Sequence, residues 1–158
     1  MTYEQAAAEI PCGLYRHFKG NHYKVLSIGR HSETEEPMVV YQALYGGYGI
    51  WIRPAAMWNE TVERDGNRYQ RFCLLTREER VAFYEELYDD LSTAIRAAGP
   101  LSDEKQKKAE LLEEYYTSGE WREDYEADEA GLLPTGLKRG VLSQDGVFDL
   151  LEYLMRNF

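Results

Sequence analysis

Basic and titratable side chains gather in the first third of the chain, at positions 16, 17, 19, 31 and 53. An arginine offers a planar fork to phosphate or carboxylate, a lysine offers a point charge, and a histidine can take up a proton near neutral pH. Because side chains alternate between the faces of a strand, residues 17 and 19 share one face and Arg16 lies on the other. We predict a site for a small anion, with aromatic rings that could stack on the ligand, formed by His17, Lys19, His31, Arg53, Tyr45, Tyr48 and Trp51.

Other interpretations of these residues stay open. The charged side chains can instead pair with acidic neighbours such as Glu33, Glu36 and Glu60 and merely solvate the surface. The aromatic side chains can instead line a groove for an extended peptide or a cationic group, although about half of them should belong to the core; this set is Tyr41, Tyr45, Tyr48, Trp51 and Trp58. A metal site would need Cys12 and the three histidines, whose spacing is not typical of zinc ligands, and no string around Cys12 or Cys73 resembles a nucleophile motif. We assign no catalytic residue, no metal and no cofactor.

A second candidate surface lies in the acidic segment of residues 120–129, which holds six carboxylates and one arginine. Paired carboxylates can transfer protons when they lie in a cleft, but on a short exposed helix they usually form a solvated face. We expect the basic loop at residues 138–140 to dock on part of this charge. The alternative is an acidic surface presented to a basic partner. The candidate residues for contact with a protein partner are Trp121, Glu123, Asp124, Lys138 and Arg139.

Short strands are predicted to position the first site. Between residues 13 and 74, polar and apolar residues alternate in short runs, and turn signals such as Gly20-Asn21 and Asp65-Gly66 separate the runs. Five or six such strands predict a small closed or partly closed β-barrel over residues 1–75. A barrel of this size has no room for an internal ligand, so the site should lie on its rim. The glycine-rich segment 46–49 is predicted to be a hairpin tip that exposes Tyr48.

At Thr76 the hydrophobic period changes from two to three or four. Thr76 and Glu79 form a capping box, and Ser102 and Ser143 are expected to cap later helices. We predict a helical unit of three to four helices over residues 76–158. Its first helix carries an apolar stripe at Tyr84, Leu87, Tyr88, Leu91, Ile95 and Ala98.

The net charge of −10 is confined to the second half of the chain. Residues 1–76 hold eight of the 18 basic and eight of the 28 acidic side chains, which leaves ten basic and twenty acidic ones after them. This asymmetry predicts two structural units, and the lack of a positive field argues against nucleic-acid binding. Because neither a signal peptide nor a membrane span is recognisable, we expect a cytoplasmic protein with no membrane contact and two free, buried cysteines.

Two sets of motif strings resemble known bacterial families. GLYRHFKG (13–20), RHSET (30–34), VYQALY (40–45) and WIRP (51–54) resemble domain-of-unknown-function family 1653, DUF1653, over about residues 13–73. EWREDY (120–125), DEAG (128–131) and LKRGVLSQD (137–145) resemble family DUF4298 over about residues 77–156. The first resemblance implies a small SH3-type barrel. Neither implies an activity or a catalytic residue.

We therefore expect an α+β protein in which a small SH3-like β-barrel precedes the acidic helical unit. It would act as a non-catalytic binding or adaptor module, with a small anionic or aromatic ligand or a peptide on the barrel rim and a protein partner on the acidic helices. The alternative is an enzyme that acts on a nucleotide or another phosphorylated small molecule, with His17 or His31 as general base. Single-stranded nucleic-acid binding is a third and weaker possibility, since the barrel is neutral and the tail acidic.

Overall fold

The computed structural model describes residues 1–97 and 99–157 and divides into two compact units, Met1–Leu75 and Thr76–Phe158. The first unit contains α1 (Tyr3–Glu9), β1 (Gly13–His17), β2 (His22–Arg30), β3 (Pro37–Ala43), β4 (Ile50–Pro54), a 3₁₀ turn (Ala55–Met57), β5 (Thr61–Arg64), β6 (Asn67–Gln70) and β7 (Phe72–Leu74). The second contains α2 (Arg77–Arg96), α3 (Asp103–Thr117), α4 (Gly119–Glu129), a 3₁₀ turn (Gly140–Leu142) and α5 (Gln144–Asn157). Ala98, the last member of the predicted apolar stripe, lies outside the described residues.

Five strands of the first unit form one antiparallel sheet in the order β4-β3-β2-β1-β7, so the predicted α+β class is confirmed. The predicted closure into a barrel is not: within residues 1–75 the ladder ends at β4 on one side and β7 on the other. The physical reason is that β5 and β6, two of the predicted strands, pair with each other as a separate hairpin. A register shift between Val25 and Ser27 of β2 marks a bulge, and a bulge bends its strand.

The core of the first unit is built largely from aromatic rings. Trp58 and Phe72 are almost completely buried, and their rings stack with centroids 3.9 Å apart. Tyr15 and Tyr41 meet the Trp58 ring edge-on, at centroid distances of 5.3 and 5.0 Å. Stacked and edge-to-face pairs stabilise beyond the area that they bury, by about 0.5–1.5 kcal/mol each. This core therefore holds the residues next to it, on β1 and β7, in fixed positions.

Four α-helices are present among the described residues of the second unit, and the predicted caps begin three of them. The capping box before α2 is confirmed, since the Thr76 hydroxyl accepts from the Glu79 N–H at 3.2 Å and the Glu79 carboxylate accepts from the Thr76 N–H at 3.1 Å. The hydroxyls of Ser102 and Ser143 accept backbone N–H groups in the first turns of α3 and α5. The inward face of α2 carries the buried residues Val81, Tyr84, Glu85, Leu87 and Leu91.

Candidate functional site

The ring of Phe72 is the centre of an aromatic and basic cluster in the first unit. Strand pairing places Phe72 of β7 opposite His17 of β1, and their ring centroids are 5.0 Å apart. The Trp58 indole stacks on the same ring, and Tyr23 meets it edge-on at 5.6 Å. The guanidinium carbon of Arg53 lies 5.9 Å from the ring centroid. We call the following set the Phe72 cluster: His17, Tyr23, Arg53, Trp58, Arg71 and Phe72.

The imidazole of His17 is half-buried and is oriented by the backbone. Its Nδ1 accepts a hydrogen bond from the Lys19 N–H at 3.2 Å, so the neutral ring carries its proton on Nε2 and presents that nitrogen as a donor. Burial lowers the pKa of His17, and the positive charges of Arg71, Lys19 and Arg53 lower it further. The ring is therefore mostly neutral at pH 7, with three cations around it.

Three N–H donors of the Phe72 cluster are buried without an acceptor. Among the described residues, none accepts a hydrogen bond from Arg53 Nε, Arg71 Nε or Trp58 Nε1. Arg71 makes an ion pair through another nitrogen, with 3.5 Å between Nη2 and a carboxylate oxygen of Glu60. A buried donor left without an acceptor costs about 1–3 kcal/mol. The cluster therefore combines positive charge with buried donors that lack an acceptor among the described residues.

Tyr23 stands beside the imidazole of His17, and Tyr45 contacts Tyr23. The hydroxyls of Tyr23 and Tyr45 lie 2.6 Å apart, and the two rings meet edge-on at 5.6 Å. Burial raises the pKa of Tyr23, and the hydrogen bond with Tyr45 raises it further, so the Tyr23 hydroxyl stays protonated. Tyr45 is 44% exposed, whereas Tyr23 packs against His17 with ring centroids 6.2 Å apart. Tyr45 thus links the buried rings to the surface.

Four of the seven residues predicted for the ligand site come together here: His17, Lys19, Arg53 and Tyr45. His31 does not belong with them, which corrects the prediction. β2 begins at His22, which pairs with Arg16 beside His17, and ends at Arg30, the residue before His31. Along an extended strand, His31 is therefore on the order of 30 Å from the His17 end of the sheet. The His31 Nδ1 instead accepts the backbone N–H groups of Glu33 and Thr34, at 3.1 and 3.3 Å, and so stabilises the turn that follows β2.

Tyr48 and Trp51, the two remaining predicted ligand residues, differ in exposure: Tyr48 is buried and Trp51 is exposed. Tyr48 is only 7% exposed, so the prediction of an exposed ring at a hairpin tip is wrong. Its backbone adopts φ +56° and its carbonyl accepts from Gln42 Nε2 at 3.2 Å, which turns the segment back onto β3. Trp51 lies in the edge strand β4 opposite Tyr41 and is 58% exposed.

No ligand role was predicted for Arg71, Phe72 or Tyr23. Trp58 was predicted as a possible groove residue, but it is completely buried. The missing information is the pairing of β1 with β7, which joins residues more than fifty positions apart in the chain. Only a period-two pattern around Phe72 pointed to that strand, and a pattern does not name its partner.

Asp124, predicted for the partner surface, is completely buried in the second unit. Its carboxylate accepts from Arg80 Nε at 2.8 Å and from the Tyr115 hydroxyl at 2.6 Å, and Arg77 Nε lies 3.3 Å away. Burial raises the pKa of Tyr115, and the hydrogen bond to Asp124 raises it further. Tyr115 also stacks on Tyr84 with centroids 3.8 Å apart. Asp124 is thus an internal counter-ion and is not accessible to a partner.

Trp121 is the second correction to the predicted partner surface. The side chain is 8% exposed, and its Nε1 donates to the Val141 carbonyl at 2.9 Å. The physical reason is the spacing of residues 121, 124 and 127, which places all three on the inward face of α4. Because α4 is rich in acidic residues, its inward face was not recognised from the sequence.

Docking of the basic loop on the acidic helix is confirmed for Arg139, which forms an ion pair with Asp128. The Arg139 Nε also donates to the Leu137 carbonyl at 3.2 Å, which fixes the loop locally. Glu123 and Lys138 are exposed, and their contact with a partner stays a prediction. The solvated part of α4 is therefore smaller than its six carboxylates suggest.

The described residues contain no group of three or more His, Cys, Asp or Glu side chains that could hold a metal ion. The two cysteines form no disulfide. The prediction that both are buried is wrong, because Cys12 is exposed and Cys73 is partly exposed. Cys12 precedes β1 on the surface, where its thiol contacts the Leu26 carbonyl at 3.4 Å. Within residues 1–97 and 99–157, every helix is too short or too polar to cross a membrane.

The protein is of the α+β class: an antiparallel sheet that carries a basic aromatic cluster is followed by an acidic unit in which the described residues form four helices. Residues 13–74 match the family described as "Protein of unknown function (DUF1653)", and residues 78–156 match "Domain of unknown function (DUF4298)". The order predicted from the motifs is confirmed. The chain belongs to the DUF4298 family, whose match spans half of it, and carries a DUF1653 segment before that match.

One solved structure with similarity to the first part of the chain is a crystal structure of a DUF1653 protein from Bordetella bronchiseptica. The two share 38% sequence identity, the match covers 43% of this chain and 90% of that chain, and the TM-score is 0.41. No curated protein matches the chain.

Proposed function

We propose that this protein is a non-catalytic binding module whose first unit takes a small anion with a planar or aromatic body at the Phe72 cluster. The observation that carries the proposal is the set of three buried donors without an acceptor, Arg53 Nε, Arg71 Nε and Trp58 Nε1. A sulfonate, phosphate or carboxylate offers two or three oxygens, enough to accept from several of them. Charge-assisted hydrogen bonds of this kind are roughly twice as strong as neutral ones.

Electrostatics favour the same ligand class. Lys19, Arg53 and Arg71 surround His17 closely enough to lower its pKa, and Glu60 offsets part of that charge through its pair with Arg71. An anion would relieve the repulsion among these cations. The rings of Tyr23 and Tyr45 would add a contact surface for an aromatic body, since such rings pack edge-on or offset at centroid distances of about 4.5–7 Å.

The enzyme alternative finds less support in the geometry of the histidines. A general base needs a free lone pair, but Nδ1 of His17 already accepts from the Lys19 N–H, which leaves Nε2 as a donor. His31 uses the same nitrogen for the turn that follows β2. The proposed role of His17 is to donate a hydrogen bond to the anion.

We also propose an SH3-like arrangement for the first unit, in which the sheet bends around the Trp58 core. The bulge in β2, the strand that pairs with both β1 and β3, supports this arrangement. We propose that residues 1–75 and 76–158 are separate domains. We also propose a cytoplasmic location, because free thiols persist in a reducing environment and the two cysteines, one of them exposed, form no disulfide.

Thermal unfolding of the full chain against matched small molecules tests the proposal. Benzenesulfonate should stabilise the protein more than sulfate, whereas benzyl alcohol and benzyltrimethylammonium should not stabilise it. A ligand at about 100 times its Kd raises the free energy of unfolding by about 2.7 kcal/mol, enough to move a melting temperature visibly. Stabilisation by benzyltrimethylammonium alone would point to a cation in an aromatic groove and would contradict the proposal.

Variants assign the effect to the site. Arg53→Gln and Arg71→Gln should each weaken benzenesulfonate binding, and Arg53→Lys should recover only part of it because lysine lacks the planar fork. Arg64→Gln is the matched control, since Arg64 lies on β5 with its side chain 57% exposed. Equal losses in Arg64→Gln and Arg71→Gln would mean that the anion binds diffusely.

A further inference from the structure

The second unit carries an apolar groove between α3 and α5 that the proposed ligand site does not use. Phe148 and Met155 of α5 are 52% and 72% exposed, and together with Leu151 they recur at the spacing of one helix face. Ala109 and Tyr116 of α3 line the opposite wall. The groove comprises two adjoining cavities of about 490 and 270 Å³, which share Met155.

The dimensions of the groove match a short helix. The α3 residues along it run from Gln106 to Thr117, eleven steps, which at about 1.5 Å per residue amount to roughly 16 Å or three helical turns. Large apolar side chains on an amphipathic helix recur at three and four, so three or four of them would face Phe148, Leu151 and Met155 at once.

Charge selects the kind of helix. Glu110 and Glu113 of α3 and Glu152 of α5 border the groove. Lys107 pairs with Glu110 at 3.7 Å and Arg156 pairs with Glu152, so the three carboxylates outnumber the two cations beside them. The twenty acidic and ten basic side chains after residue 76 extend the negative field around this rim. A second copy of this chain would bring the same negative charge to the interface, and an anionic lipid surface would also be repelled.

We infer that the α3–α5 groove binds a basic amphipathic helix of a partner protein, with an apolar stripe seated on Phe148 and Met155 and lysine or arginine side chains facing Glu110, Glu113 and Glu152. This surface is separate from the Phe72 cluster, and it differs from the partner surface predicted from the sequence, whose Trp121 and Asp124 are buried. The inference does not depend on the anion site.

The test uses the full chain and a fluorescein-labelled 14-residue peptide of leucine and lysine, with leucines at i, i+3, i+4 and i+7. A control peptide has the same composition but spreads its leucines around the helix. Fluorescence anisotropy should give a Kd at least about tenfold lower for the patterned peptide. The double variant Phe148→Ser/Met155→Ser should lose about tenfold or more, because truncated central apolar anchors typically cost that much.

Leu132→Ser is the control variant, since Leu132 is 69% exposed in the same unit and does not line the groove. Its Kd should equal that of the unaltered protein. Equal binding of the two peptides, or unchanged binding by the double variant, would overturn the inference by showing attraction through charge alone. Sedimentation velocity adds one further outcome. If the protein alone is a dimer that the double variant dissociates, a second copy occupies the groove and the inference is wrong.

Discussion

At the scale of single residues, His17 is defined by what surrounds it more than by its position in the chain. The backbone N–H of Lys19 fixes its tautomer, and burial together with Arg71, Lys19 and Arg53 lowers its pKa. The sequence predicted the proximity of His17, Lys19 and Arg53 from strand alternation and charge. It could not predict Arg71, because that contact depends on which strand pairs with β1.

The lowered pKa of His17 predicts a pH dependence of stability. As the pH falls, His17 is protonated in the unfolded chain at its ordinary pKa of about 6.5, before it is protonated in the folded protein. The contribution of neutral His17 to the free energy of unfolding is therefore fully present above about pH 6.5 and is lost as the pH falls through the pKa of the folded state. Urea unfolding at pH 7.5 and 5.5 should show a smaller loss of stability in His17→Gln than in the unaltered protein. An equal loss in both would contradict the assigned environment.

Anion binding should shift the same titration. A bound sulfonate favours the imidazolium form, so benzenesulfonate, whose charge is constant over this range, should raise the pKa of His17 as followed by NMR. By linkage, its affinity should increase as the pH falls from 8 to 5.5. Arg53→Gln should also raise the pKa of His17 in the free protein, because a neighbouring cation is lost, while Arg64→Gln should leave it unchanged. If the pKa of His17 changes neither with benzenesulfonate nor in Arg53→Gln, the electrostatic argument for the anion site is wrong.

At the scale of elements, caps and apolar stripes were readable from the sequence, whereas the inward face of α4 was not. Thr76, Ser102 and Ser143 act as predicted because a cap depends on residues three positions away. Asp124 was taken for a solvated carboxylate because its partners, Arg80 and Tyr115, belong to other helices. A charged residue faces inward only when a distant element supplies the opposite charge, and composition does not contain that information.

Asp124 and its exposed neighbour Glu123 provide a matched pair of substitutions. Asp124→Asn should lower the free energy of unfolding by about 1–3 kcal/mol, because Arg80 loses its buried carboxylate partner and, among the described residues, keeps only the ion pair with Glu120 at 3.4 Å. Glu123→Gln should change it by less than about 0.5 kcal/mol, as expected for an exposed side chain. Chemical denaturation measures both. A small effect of Asp124→Asn would mean that the carboxylate is solvated, as the sequence had suggested.

At the scale of the whole molecule, charge divides the chain at the same place as the fold. The first 76 residues are neutral overall and the remainder carries the entire −10, and the two compact units meet at residues 75 and 76. The α+β class was predictable because the hydrophobic period changes at Thr76, and the proposed division into two domains rests on the same change. Barrel closure was not predictable, because strand number and length do not decide whether β5 and β6 join the main sheet or pair alone.

The division predicts different responses to salt. Residues 1–75 and 76–158, produced separately, should each unfold cooperatively. Raising sodium chloride from 20 to 500 mM should stabilise the acidic fragment more than the neutral one, since salt screens repulsion among its twenty carboxylates. Circular dichroism melts of both fragments measure the difference. A fragment without a cooperative transition would show that the two units depend on each other for folding.

The most direct test of the proposed anion site is to follow the NMR signals of its three buried N–H donors. In a ¹H–¹⁵N correlation spectrum, the Nε–H signals of Arg53 and Arg71 and the Nε1–H signal of Trp58 are separate from the backbone amides. Titration with benzenesulfonate should move all three downfield along one binding curve, while the Arg64 Nε–H signal stays in place. Three unmoved signals in a folded protein, or an equal shift of the Arg64 signal, would contradict an anion site at the Phe72 cluster.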